Sequence, residues 1–318
     1  MENRATERLT VEAPARSGAL RRAAGLYLWV ALFLAAPVGM TRDLAGTGVL
    51  LAAYATFVAL TAAAVWKIGA EPRHPGRVRE HPAFLPGALL LAGPLALALG
   101  AFVTGEPTAS RPGDYLWNTT AILLGTALLV SGFVALFARL WEYGERLLPV
   151  LGTAGLMVGA TLFVANLAFR YAVVAAGATG IQAGVEDRAW VAHEYLVGLQ
   201  GEPSWMELLL VWTDVLQLAF VSLAYMATAA YGLALVRVGW LGRAGGGLFA
   251  ALNVALALLV VVGLSMAGSG GTTAAWLVFV LTIPFMAFIL PYFLGLTLIR
   301  HRDPGETGVG VQRKAPGQ

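Results

Sequence analysis

Glu207, Asp214 and Gln217 stand seven and three residues apart inside WMELLLVWTDVLQLAFVSLAYMATAAYGLALVR, residues 205–237. At helical spacing the three share one stripe. The run around them exceeds the roughly 20 apolar residues that cross a bilayer. A carboxylate inside such a helix costs at least ~2.5 kcal/mol on insertion scales, so it faces protein or water in preference to lipid. Its chemistry there is proton exchange, ion contact or pairing with a buried cation.

The cation is Arg170. It stands one turn from Asn166 near the far end of another apolar run, and Asp114 and Asn118 stand one turn apart at the start of a third. Alternating chain direction puts all seven residues in the same half of the membrane. Asp214, ten residues into its helix, is then ~14 Å deep. Two arrangements fit. In one, Asp214, Arg170, Asn166, Gln217, Glu207, Asp114 and Asn118 line an outward-opening pocket, lidded by the connection 178–204. In the other, Arg170 and Asp214 form a buried ion pair, and the amides tie helices together. Either way Asp214 and Arg170 are expected to pair, directly or through Asn166, Gln217 or a water. Asn118 and Tyr225 are the next partners for Asp214.

The rest of the chain must hold these groups in place. Of its 318 residues 58% are hydrophobic and 12% charged, against about 25% charged in soluble domains. The pattern predicts an all-α integral membrane bundle of eight transmembrane helices at about 23–40, 48–66, 84–103, 114–140, 149–176, 205–236, 248–266 and 274–299. A polar segment 1–22 precedes them and a polar, disordered tail 300–318 follows. Ala31, Ala35 and Gly39, then Ala55, Ala59 and Ala63, and then Gly155 and Gly159, make small-residue ridges for close helix packing. Pro94, Pro284 and Pro291 should kink their helices, while Pro86 and Pro149 suit first turns. Within 178–204, VEDRAWVAHEYLVGL reads as a short helix on the membrane surface.

Charge orients the bundle. The terminal side carries Arg4, Arg8, Arg16, Arg21 and Arg22, then Lys67, Arg73, Arg77 and Arg79, then Arg139 and Arg146, Arg237 and Arg243, and Arg300, Arg302, Arg313 and Lys314. Those are 17 of the 21 basic residues. Arg42, Arg111 and Arg188 fall on the other side, among Asp43, Glu106, Asp114, Glu186, Asp187, Glu194 and Glu202. The positive-inside rule therefore predicts both termini in the cytoplasm of a bacterial inner-membrane protein. The acidic outer side excludes nucleic acid as a partner there. Residues 114–142 and 214–242 share Leu116 with Leu216 and Gly132 with Gly232, a weak sign of hairpin duplication.

Several chemistries drop out. With no cysteine there is no disulfide, thiolate or iron–sulfur site. His74, His81, His193 and His301 all lie outside the spans, which leaves no paired ligands for a membrane haem. No span holds a lysine for a retinal Schiff base. His193 beside Glu194 reads as a solvated loop residue, so no metal is expected. GGG at 245–247 and GSGG at 268–271 lack a preceding strand and are turns. Ser222 and Ser265 have no span-buried base. Trp205, Trp212 and Trp240 suit interfacial belts. No cofactor is expected.

The segment AAYGLALVRVGWLGRAGGGLFAALNVAL, residues 229–256, resembles a hairpin of uncharacterised bacterial multi-span proteins, among them domain-of-unknown-function group 4386. There too an apolar helix ends at an arginine, and a Trp-containing turn leads into a Gly-rich helix. The resemblance covers under a tenth of the chain and implies a membrane bundle with no assigned activity.

Three functions fit. One is a polytopic membrane protein that binds or transports a small molecule or ion through the outer pocket, coupled at Asp214. The second is a non-catalytic accessory or sensory subunit packed against other membrane subunits or its own copies. The third is a lipid- or isoprenoid-modifying enzyme with Asp214 or Glu207 as general acid. The lipid bilayer is a partner in all three.

Overall fold

A computed structural model describes residues 18–34, 47–70, 82–103, 112–178, 205–267 and 284–300; these are helices, with tight turns at 143–146 and 238–242. In chain order we number them α1 (18–34), α2 (Thr47–Val65, ending in a π-turn, Trp66–Ala70), α3 (Phe84–Val103) and α4 (Pro112–Glu142). They continue as α5 (Leu147–Ala178), α6 (Trp205–Arg237), α7 (Arg243–Ala267) and α8 (Pro284–Arg300). No strand occurs among the described residues. The surface helix expected within 178–204, the tail beyond Arg300 and the four histidines lie outside them.

Among the described residues, five helices are long and apolar enough to cross a membrane, over Ala52–Gly69, Trp117–Glu142, Leu147–Phe169, Val215–Arg237 and Arg243–Val262. Phe84–Ala98 and Ala287–Arg300 are apolar but shorter. Leu124, Leu151, Leu248 and Leu258 are all more than half exposed. An apolar exterior of that extent suits lipid around it, not water.

Glycine sets how closely the helices meet. A Cβ placed on Gly93 of α3 would come 2.8 Å from the carbonyl oxygen of Gly125 in α4, and one on Gly125 would meet the Gly93 oxygen at 2.8 Å. On the other side of α3, a Cβ on Gly87 would lie 2.9 Å from the Gly295 oxygen of α8. So α3 is clasped backbone to backbone between α4 and α8. The α5–α6 pair also meets closely, since a Cβ on Gly152 would touch the Tyr231 ring at 3.0 Å and one on Gly159 the Phe220 Cα at 3.4 Å. The 155–159 pair expected to drive packing therefore does so mainly through Gly159; Gly155 only reaches Leu223 at 4.0 Å. The chain runs on from α6 into α7, which packs along it.

Two turns close the bundle at one end. Gly144 (φ 85°) and Gly239 (φ 78°) end α4 and α6 in the left-handed conformation that glycine tolerates. Glu145 N–H returns to the Leu140 carbonyl at 3.1 Å and Trp240 N–H to the Leu235 carbonyl at 2.8 Å, the six-to-one bond of a Schellman cap. Arg237 then pairs with Glu145 at 3.2 Å, and the Tyr143 and Trp240 rings meet edge to face at 5.1 Å. α5 begins at Leu147, so Pro149 is its third residue, not its first. A proline is still at no disadvantage there, because no first-turn N–H has a helical partner. Arg21, Arg22, Lys67, Arg139, Arg146, Arg237, Arg243 and Arg300 all sit at this same end of the bundle.

Candidate functional site

The α5–α6 contact fixes one register over residues 152–166 and 217–231. Gly152 faces Tyr231, Phe163 faces Phe220, and Asn166 faces Gln217. One turn further, position 170 falls level with 213, beside 214. On α4, Phe133 is level with Thr153 because Tyr231 touches both. Fifteen residues of helix, about 22 Å, then bring Asn118 level with position 168, between Asn166 and position 170. The backbones of α4, α5 and α6 thus carry Asn118, Asn166, Arg170, Asp214 and Gln217 to one layer, away from the basic end. Asp114 continues α4 beyond that layer, and Glu207 continues α6 two turns beyond Asp214. The side chains of Asp114, Arg170, Glu207 and Asp214 lie outside the described residues.

Within the layer, Asn166 is fully buried and donates from Nδ2 to Gln217 Oε1 at 3.5 Å. Gln217 and Asn118 are half-buried. Buried amides of this kind can hold a polar solute as readily as each other, since each brings donors and an acceptor.

An aromatic floor lies one turn below. The Phe163 and Phe220 rings stack at 4.4 Å and 8° from parallel, and Phe288 of α8 stands 6.1 Å from Phe220. All three are buried. Buried rings thus lie between the polar layer and the basic half of the bundle where α5, α6 and α8 meet.

Below the floor is a second polar node, which sequence reasoning did not single out. Tyr231 is fully buried, donates to the Phe133 carbonyl at 3.0 Å and lies 2.6 Å from Thr153 Oγ1. Thr153 also reaches the Pro149 carbonyl at 2.8 Å. Two hydroxyl protons serve three contacts, so at any moment one of the three is without a proton. The node ties α4, α5 and α6 at one point. A tyrosine and a threonine in otherwise apolar spans were its only sequence signal.

Two further buried polar atoms lack a hydrogen-bond partner among the described residues: the Tyr225 hydroxyl and Asn253 Oδ1. Asn253 bonds the Phe249 carbonyl through Nδ2 at 2.8 Å. It occupies a seam of small buried residues, Gly246, Ala250, Asn253, Ala257 and Val260, whose three–four spacing turns toward α6. That spacing is readable in the sequence and would have located Asn253.

No protein-family model, curated protein or solved structure is significantly similar to the chain.

Proposed function

We propose that the chain is a multi-pass membrane protein of eight spans, with both termini and the basic end of the bundle in the cytoplasm. Its outward-facing polar layer on α4, α5 and α6 binds or transports a small polar molecule or ion. The observation that carries this is the fully buried Asn166, hydrogen-bonded across helices to Gln217 at the level where the backbone brings positions 118, 170 and 214. Intramembrane polar and ionisable groups are costly enough that a cluster drawn from three helices points to a ligand path. The Phe163–Phe220–Phe288 floor supports an opening toward the acidic side, since rings close the other direction.

In this proposal Asp214 and Arg170 are the charged pair of the site. Asn166, Gln217 and Asn118 shape it, and Asp114 and Glu207 border its mouth. The test is a melting-temperature screen of the purified chain against inorganic cations and small polar solutes, repeated on an Asp214→Asn/Arg170→Gln double variant. A solute that stabilises the wild type and not the folded double variant is expected. A folded double variant that keeps the same stabilisation removes the charged pair from the site.

A further inference from the structure

At the basic end, α1 is pinned between α2 and α8. The Tyr27 hydroxyl meets Thr61 Oγ1 at 2.9 Å, and Arg21 donates to the Ile68 carbonyl at 3.2 Å. From α8, the Tyr292 hydroxyl donates to the Leu28 carbonyl and Arg300 Nη2 to the Gly25 carbonyl. The Arg300 guanidinium also lies 5.6 Å above the Trp29 ring, and that ring is 5.1 Å from Phe293.

Arg300 differs from Arg139 and Arg237 of the neighbouring turns. Arg139 has Glu142 at 3.1 Å and Arg237 has Glu145 at 3.2 Å. Arg300 is half-buried, and its partners among the described residues are a carbonyl and a ring, both neutral. Its charge is thus held at the membrane boundary with no carboxylate beside it among the described residues.

The exposed face of α1 next to it has a matching layout. Arg22, Leu26, Trp29 and Phe33 follow at spacings of four, three and four, one helical stripe. Arg22 is exposed, and Leu26, Trp29 and Phe33 are 69%, 47% and 55% exposed. From Arg22 to Phe33 is eleven residues, about 16 Å, which matches one leaflet of a hydrocarbon core ~30 Å thick. The stripe is cationic at its foot, then aliphatic at Leu26 and aromatic at Trp29 and Phe33.

We propose that the α1–α8 seam is a binding site for one anionic phospholipid of the leaflet at the basic end. Its phosphate lies between Arg22 and Arg300, and an acyl chain runs along Leu26, Trp29 and Phe33. The chemistry recognised is a phosphate with an attached apolar chain. A free phosphate would use only the two arginines, and a zwitterionic lipid would bring its own cation to the headgroup. Arg21 and Lys67, in the same corner, add to the local positive potential.

Native mass spectrometry of the full chain in mild detergent tests this, with added phosphatidylglycerol, phosphatidylcholine or inorganic phosphate. Retention of phosphatidylglycerol over phosphatidylcholine is expected, with Arg22→Gln weakening it about five-fold and Arg22→Gln/Arg300→Gln more. Inorganic phosphate should neither bind nor displace the lipid. Equal retention of the two lipids, unchanged retention by Arg22→Gln, or displacement by inorganic phosphate would each overturn the proposal. Arg22 is exposed and makes no hydrogen bond or ion pair among the described residues, so that single variant decides the matter even where Arg300→Gln loosens α1.

Discussion

The Phe163 and Phe220 rings lie face to face, 4.4 Å apart and 8° from parallel, one helical turn below the Asn166–Gln217 hydrogen bond. Polar layer and aromatic floor are built by the same two helices in one register. A change at either residue of the stack should therefore be felt in the layer above. Phe220→Ala is expected to destabilise by about 3–5 kcal/mol through the cavity it leaves. Phe220→Leu should cost far less and keep the floor closed. Thermal unfolding in detergent measures both.

Asn166→Leu separates a structural amide from a ligand group. The lost interhelical hydrogen bond should cost about 0.6 kcal/mol, with a further penalty for leaving Gln217 Oε1 without its donor. A double-mutant cycle with Gln217→Leu should give coupling of that size. Additive effects would mean that the 3.5 Å contact contributes nothing to stability.

The register that levels position 170 with 213 and 214 predicts a paired charge. Asp214→Asn or Arg170→Gln alone should destabilise by ~3–5 kcal/mol through the orphaned partner, and the double variant should recover most of it. Single variants as stable as the wild type would show that the two charges face different surroundings.

At the second polar node, Tyr231→Phe removes a hydroxyl from two contacts and should cost about 1 kcal/mol. Thr153→Val should cost less in the Tyr231→Phe background than in the wild type, since the two hydroxyls share a proton-limited chain. Equal costs in both backgrounds would separate them.

Glycines offer a contrast in sign. Gly93→Ala drives a Cβ to 2.8 Å from the Gly125 oxygen, with backbone on both sides, and should destabilise by more than ~1 kcal/mol. Gly247 in α7 has nothing within 4 Å of its would-be Cβ, so Gly247→Ala should stabilise by about 0.5–1 kcal/mol. The chain has no cysteine, so single cysteines at Glu145 and Asn118 can also be labelled from either side without background. Glu145→Cys should react from the cytoplasmic side; reaction from outside would invert the proposed orientation.

Much of the helical layout was legible because a helix in lipid must be apolar for its whole length, and turns such as RLWEYGER or VGWLGR interrupt that plainly. What faces what was less legible. A helix apolar on all sides carries no amphipathic signal of its buried face, so spacing could put Asn166 on a stripe but not opposite Gln217, 51 residues away. Pro149 was expected to open α5, yet Leu147 does, because the turn is set by Gly144 and the Schellman cap before it. Tyr231 was missed for a related reason. In sequence a buried tyrosine looks the same whether its hydroxyl holds three helices together or, like that of Tyr225, finds no partner among the described residues.

The glycine contacts on the two faces of α3 have a mechanical consequence. Helices touching backbone to backbone cannot slide or tilt against each other without collision, so α4, α3 and α8 move as one block. Gly152 and Gly159 lock α5 to α6 in the same way. Between the blocks the contacts run through side chains: the Phe220–Phe288 ring pair, the Tyr231 hydroxyl on the Phe133 carbonyl and the apolar α4–α5 seam. Rotamers can adjust where backbones cannot, so any rocking of this protein pivots along that line. Asn118 rides on one block, with Asn166 and Gln217 on the other. A rotation of a few degrees would therefore widen or narrow the polar layer between them while both halves stay rigid.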